Sequence, residues 1–183
     1  MRAWMIAGLA LCLAACNRPG EQSPAFAIAH GAGPVERIEC RQGECYWTQR
    51  QSVTVLTRSD DAILLKVAER GGNSVHGPDA APPDAWAPGI DVAWQAETVY
   101  FRCSRTRPAM LWKSDGAFLL DALDLHGLPG AQVASAHEYM AACHSLAPGK
   151  WDGKALQQLG YAKAAANQAH YPTLEAGLKA LAE

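Results

Sequence analysis

No stretch of this 183-residue chain approaches the roughly 20 consecutive apolar residues that a membrane-spanning helix needs. The N-terminal uncharged, mostly apolar run, Trp4 to Leu13, has about ten before the small residues Ala14 and Ala15. Charge of one sign is also missing: 16 Lys and Arg face 18 Asp and Glu, a formal charge of −2. That removes the electrostatic case for a nucleic-acid partner. There is no internal repeat, phosphate loop, dinucleotide fingerprint or EF-hand loop, so no cofactor is expected.

The catalytic patterns that come close each lack a residue. Gly72-Asn73-Ser74-Val75-His76 has no closing glycine for a nucleophile elbow and lies in a Pro/Gly-rich segment, not between strand and helix. His137-Glu138 begins a zinc-protease pattern, but Ala141 stands where the second histidine belongs. The next histidine, His144, lies two turns on, roughly 10.5 Å along a helix. That is too far for one zinc with bonds of ~2.0–2.1 Å. His137 and His144 therefore read as solvated helix residues. Cys40 and Cys45 have the spacing of half a zinc site with no second half. Asp121 and Asp124 read as a solvated strand end. The sequence thus presents no catalytic residue set and no metal site.

What is present begins at the N-terminus. Arg2 precedes the short apolar run, and Ala14 and Ala15 precede Cys16, the layout of a signal segment. Leu13-Ala14-Ala15-Cys16 resembles the lipobox of bacterial lipoproteins. The resemblance implies cleavage after Ala15, a diacylglycerol on the Cys16 sulfur and acylation of the new amino terminus. Stable anchoring takes at least two chains at ~0.8 kcal/mol per buried CH₂. Asn17 in place of aspartate implies sorting to the outer membrane, facing the periplasm. The expected organisation is a signal peptide at 1–15, a lipidated flexible tether at 16–34 and one globular domain at 35–183. The tether reading rests on the Pro, Gly and small residues of that stretch.

Four cysteines then remain for an exported domain: Cys40, Cys45, Cys103 and Cys143. An even number points to two disulfides, with three possible pairings. Gly43 suits a tight turn between Cys40 and Cys45, and facing residues of a hairpin lie at disulfide distance. This favours Cys40–Cys45 with Cys103–Cys143; the rival is a crossed pairing in which Cys40 or Cys45 reaches Cys103.

Strand signals fill the first two thirds of the domain. Val35–Cys40 alternates, and the stretch from Cys45 to Arg58 is rich in aromatic and β-branched residues. Residues 59–70 fit either a helix capped by Ser59 or Asp60 or a buried strand, with strand favoured by its neighbours. Residues 97–104 read as a strand with Val99, Phe101 and Cys103 on one face, and Asp115-Gly116 marks a hairpin. From Gly130 the period becomes helical, with Val133, Ala136, Met140 and Cys143 or His144 on one stripe. Asp152 can cap a short helix, and Pro172 suits the first turn of a last one. The expected class is α+β: a small antiparallel sheet followed by C-terminal helices, stapled by disulfides.

Residues 71–90 hold four prolines and four glycines and read as a long loop. Trp86, His76 and Trp94 make it the candidate binding surface, whereas Trp47 and Trp112, in strands, read as core. A lipid tether, disulfides, a β-rich domain and no catalytic set suggest a non-enzymatic binding lipoprotein. It would bind a protein partner in the envelope, as an inhibitor or immunity factor against an envelope-attacking enzyme does. The alternatives are a structural or assembly lipoprotein and, further off, an envelope hydrolase. A hydrolase would require a cleft with convergent ionisable groups.

Overall fold

The computed structural model describes residues 25–77 and 81–183. The expected signal segment, Cys16 and the first part of the expected tether lie outside these residues. Seven strands run as an antiparallel meander, side by side in chain order. They are β1 (Val35–Arg41), β2 (Glu44–Arg58), β3 (Ala62–Val75), β4 (Gln95–Ser104), β5 (Ala109–Ser114), β6 (Ala117–Ala122) and β7 (Asn167–Tyr171). Three helices follow or interrupt the last strands: α1 (Val133–His144), α2 (Gly153–Gln158) and α3 (Leu174–Ala182). The molecule is mostly sheet, more so than the α+β expectation, and β7 lies between α2 and α3 instead of preceding the helices.

Residues 59–70 resolve to strand: β3 begins at Ala62 and continues through Gly71 and Gly72 to Val75, so the first five residues of the expected loop belong to the sheet. Period-2 burial explains it. Ile63, Leu65, Val67 and Glu69 are buried on one face, while Lys66 is exposed on the other. The β1–β2 and β5–β6 connections are two-residue hairpins, Gln42-Gly43 and Asp115-Gly116, all four residues having positive φ, as the favoured hairpin turns require.

The sheet has two covered faces. One packs on α1 through Leu65, Val67, Val99, Phe101, Met110, Tyr139 and Met140. Because α1 touches β1, β4 and β5 alike, the sheet curves around it. The single buried stripe expected for this helix is exceeded. Ser135, Ala136, Glu138, Tyr139, Met140, Ala142, Cys143 and His144 are all buried, the condition of a helix enclosed on every side. Part of that enclosure comes from residues 25–34, read as flexible tether. Ile28 and Ala29 are buried, the Ala29 amide donates to Ala142 O at 3.1 Å, and the Ser145 hydroxyl donates to Ala27 O at 2.9 Å. The packed domain therefore starts before Val35.

On the other face α3 covers β4–β6, with Leu181 against Tyr100, Leu111 and Leu120. Thr173 caps α3 by accepting from Ala176 N, which puts Pro172 just outside the first turn. Beside α3, the segment before β4 folds back over Trp47 through Ile90, Val92 and Trp94. A Cβ on Gly72 would lie 2.5 Å from Ala93 O, so only glycine lets this segment lie flat on β3. The disulfides are Cys40–Cys45, facing each other across the β1–β2 hairpin, and Cys103–Cys143, joining β4 to α1. Among the described residues no helix is long and apolar enough to cross a membrane.

Candidate functional site

The residues of the expected binding surface fall in two places. Trp86 is 37% exposed and borders a depression of about 640 Å³ along β1, with His137 and Pro148 on the opposite wall. Trp94 is half-buried beneath the guanidinium of Arg70, 4.4 Å from its ring centroid. His76 lies at the end of β3, its Nε2 2.8 Å from the Ser74 hydroxyl, which itself accepts from Trp47 Nε1 at 2.7 Å. Trp94 and His76 both adjoin Trp47, one by packing and the other through Ser74, whereas Trp86 belongs to the depression along β1.

His137 and His144 are not solvated residues. His137 Nδ1 sits 3.1 Å from Ile38 O, and its ring meets Trp151 edge-on. His144 is buried, with Nε2 2.7 Å from the Tyr161 hydroxyl. Tyr161 donates to Tyr139 at 3.0 Å, and Tyr139 donates to Ser104 O while accepting from Ser104 N. Burial first, then the Arg105 charge, pulls His144 down to about 4, so its ring is neutral. Asp121 is also no solvated strand end. It is fully buried and accepts from Ser135 Oγ at 2.6 Å and Gln168 Nε2 at 2.8 Å, tying β6 to α1 and β7. Asp124 accepts from the backbone amides of His126 and Ala164.

The convergent ionisable groups lie elsewhere, between the sheet and α1. The register places Arg50, Glu69 and Glu97 in one row across β2, β3 and β4. Row and helix meet on the same face, because Glu69 follows Val67 at a spacing of two. From α1, buried Glu138 faces this row. The next residue of β3 on that face is Gly71, where a Cβ would lie 2.5 Å from the Tyr46 hydroxyl and 3.0 Å from Glu97 Oε1. The missing side chain lets Tyr46 reach across β3 and hydrogen-bond Glu97.

These carboxyls resist ionisation. Burial raises Glu138 well above the ordinary carboxyl range, and the charges of Glu69 and Glu97 add to it. Burial and then the Glu97 charge push Glu69 up to about 7, against the opposing pull of Arg50. Glu97 is also raised by burial, partly offset by the Tyr46 hydrogen bond. Burial raises Glu36 against the same Arg50. Among the described residues the ion pairs are Arg37–Asp84 and Arg41–Glu39, and none of these carboxyls forms one. Glu69 Oε1 is buried with no hydrogen-bond partner.

Two spaces flank the cluster. A cavity of about 20 Å³, room for one water, is bounded by Glu36, Thr48, Arg50, Glu69 and Glu138. On the other side opens a groove of about 790 Å³, walled by Tyr46, Glu97, Val99, Trp112 and Glu138. Its origin is topological. β4 pairs with β5 only through Tyr100, Phe101 and Arg102, so Gln95–Val99 have no ladder partner on that side. The groove is the wedge between these diverging strands, floored by α1. Among the described residues no three His, Cys, Asp or Glu groups could hold a metal ion. The arrangement can hold and release protons near neutral pH, and it can receive a cationic group.

Sequence reasoning missed this site because Glu69, Glu97 and Glu138 are each ordinary surface residue types. The available signal was Glu69 on the buried face of β3, at a period of two from Ile63, Leu65 and Val67. Comparison with protein-family models, curated proteins and solved structures gives no match.

Proposed function

We propose that the protein is a lipid-anchored binding protein of the bacterial envelope, and that the wedge between β4 and β5 is its binding site. The lipobox-like Leu13-Ala14-Ala15-Cys16 and two disulfides in one domain support an exported, tethered chain. The observation that carries the binding reading is the groove itself. Its volume of about 790 Å³ falls in the range of ligand sites, and an aromatic wall with a few polar groups is how such sites are lined. On this reading the protein holds its partner at the outer membrane, facing the periplasm.

Capture by detergent-solubilised full-length protein from envelope and secreted fractions tests the reading. A specific protein should be retained by the wild-type chain and lost with Trp112→Ala. Recovery of the same proteins by both would overturn it.

A second reading, an envelope hydrolase, is favoured by one observation: a carboxyl that burial holds well above the ordinary range, Glu138, lines the same groove as the more exposed Glu97. Acid–base pairs of this kind serve glycoside hydrolysis. Release of soluble fragments from purified cell wall, abolished by Glu138→Gln, would support it. No release by the wild-type protein would exclude that substrate.

A further inference from the structure

We propose that the wedge accepts an extended, lysine-bearing segment of a protein partner, which pairs its backbone with the free β4 edge at Gln95–Val99 and places an ammonium beside Glu97 and Glu138. The proposal deepens the binding reading and rests on it.

Three independent observations meet here. The first is the strand edge. β4 runs from Gln95 to Ser104, yet its ladder to β5 covers only residues 100–102. Every second residue of this five-residue stretch therefore turns its backbone donor and acceptor to the wedge, the others turning theirs to β3, and an edge of this kind is a template for an added strand. The second is charge. Three carboxyls, Glu97, Glu138 and, at the rim, Asp115, border the groove without an ion pair, against one cation, Lys113. Glu69, behind them, is more than nine-tenths buried, with Oε1 unpartnered. The third is the wall. Val99, Met110 and Trp112 line the same groove and suit the alkyl stem of a lysine, whose charged end reaches past apolar surface. A residue opposite Glu97 on an added strand points to the same face as Glu97, toward α1, at cross-strand pair distance.

A metal ion would satisfy charge alone, but no suitable ligand set exists among the described residues. The charged and titratable groups facing the site are Glu36 from β1, Tyr46 and Arg50 from β2, Glu69 from β3, Glu97 from β4, Lys113 and Asp115 at the β5–β6 rim, and Glu138 from α1. An arriving ammonium stabilises ionised carboxylates, so a proton leaves the cluster as the segment binds. Affinity therefore rises with pH over the range in which these carboxyls, held above the ordinary carboxyl range by burial, lose their protons.

The test uses the full-length protein and a hexapeptide alternating lysine with threonine. Three controls accompany it: the lysine-acetylated peptide, a backbone N-methylated peptide, and free cadaverine. The parent peptide should bind, releasing protons into the buffer as read by calorimetry in two buffers. Acetylation, N-methylation, Glu97→Gln and Glu138→Gln should each weaken it by about tenfold or more. Glu97 is half-buried, so its variant keeps the test usable if the Glu138 variant folds poorly. Equal binding of the acetylated peptide, or of either Gln variant in folded form, would overturn the ammonium site. Cadaverine binding as tightly as the peptide would overturn strand pairing. Absence of parent-peptide binding would overturn both. A captured envelope partner insensitive to Glu97→Gln would sink this inference and leave the binding reading standing; peptide binding without any captured partner would do the reverse.

Discussion

Glu69→Gln should change the slope of the protein's stability against pH. The Glu69 carboxyl has an ordinary value near 4.5, and burial followed by the Glu97 charge brings it to about 7 in the folded chain. Between those values the folded state holds a proton that the unfolded chain releases, so stability falls as pH rises. The contribution is fully present below about 4.5 and gone above about 7. At about 1.36 kcal/mol per pH unit, the whole movement is worth about 3 kcal/mol. Glutamine keeps the shape and cannot ionise. Its amide brings N–H donors that need partners, at a cost of about 1–3 kcal/mol, but that cost is the same at every pH. The diagnostic is therefore the slope. Urea unfolding from about pH 4.5 to about pH 8.5 should give curves that diverge by about 3 kcal/mol across the range, roughly 6–12 °C in Tm for a chain of this size. Parallel curves would refute the buried, proton-holding cluster.

Reducing the Cys103–Cys143 bridge, which closes 40 residues, should cost about 4 kcal/mol, and reducing Cys40–Cys45, which closes 5, about 2, on the chain-entropy model; denaturant midpoints of the paired Cys→Ser variants check both. Gly72→Ala drives a Cβ into Ala93 O and should cost about 1–3 kcal/mol, with a red shift in tryptophan emission as Trp47 and Trp94 lose their cover. His144→Gln should flatten the loss of stability expected as pH falls from about 6.5 toward about 4, because the folded chain keeps this ring neutral while the unfolded chain protonates it; acid unfolding of wild type and variant compares them. Cys16→Ser should move the protein from the membrane to the soluble fraction and remove the acyl mass from the N-terminal peptide. Retention on the membrane would refute the lipid anchor.

Elements with strong local chemistry were legible in the sequence. The alternation of Val35–Cys40, the Asp115-Gly116 turn and the Asp152 cap each depend on neighbours within a few residues, and each occurs where the pattern placed it. β7 was missed because Asn167–Tyr171 carries little apolar surface and pairs only at the sheet margin. The extent of β3 was missed because Gly71 and Gly72 signal a break locally. Both glycines are instead required by partners far along the chain: Tyr46 reaching over one, and Ala93 lying on the other. The solvated reading of His137 and His144 failed for a related reason. α1 is enclosed by residues 25–34 on one side and by the segment around Trp151 and Tyr161 on another, and neither enclosure leaves a periodic mark in the helix itself. The carboxyl cluster is the extreme case, assembled by register between three strands and a helix.

The C-terminal end of α1 and the stretch around Glu138 have opposite characters. At its C-terminal end Cys143 is bonded to β4, and His144, Tyr161, Tyr139 and Ser104 form one hydrogen-bonded chain. Separating helix from sheet there requires breaking a covalent bond or leaving buried polar groups unpaired. Toward the N-terminal half, Glu138 faces carboxyls that repel it whenever they ionise, and the sheet beyond has already parted between β4 and β5. Rising pH therefore strains only this half. The proposed binding site would thus lie beside a stretch of α1 held on one side by Cys103–Cys143 and on the other by the Ser135–Asp121 hydrogen bond, so that an incoming strand meets a fixed floor.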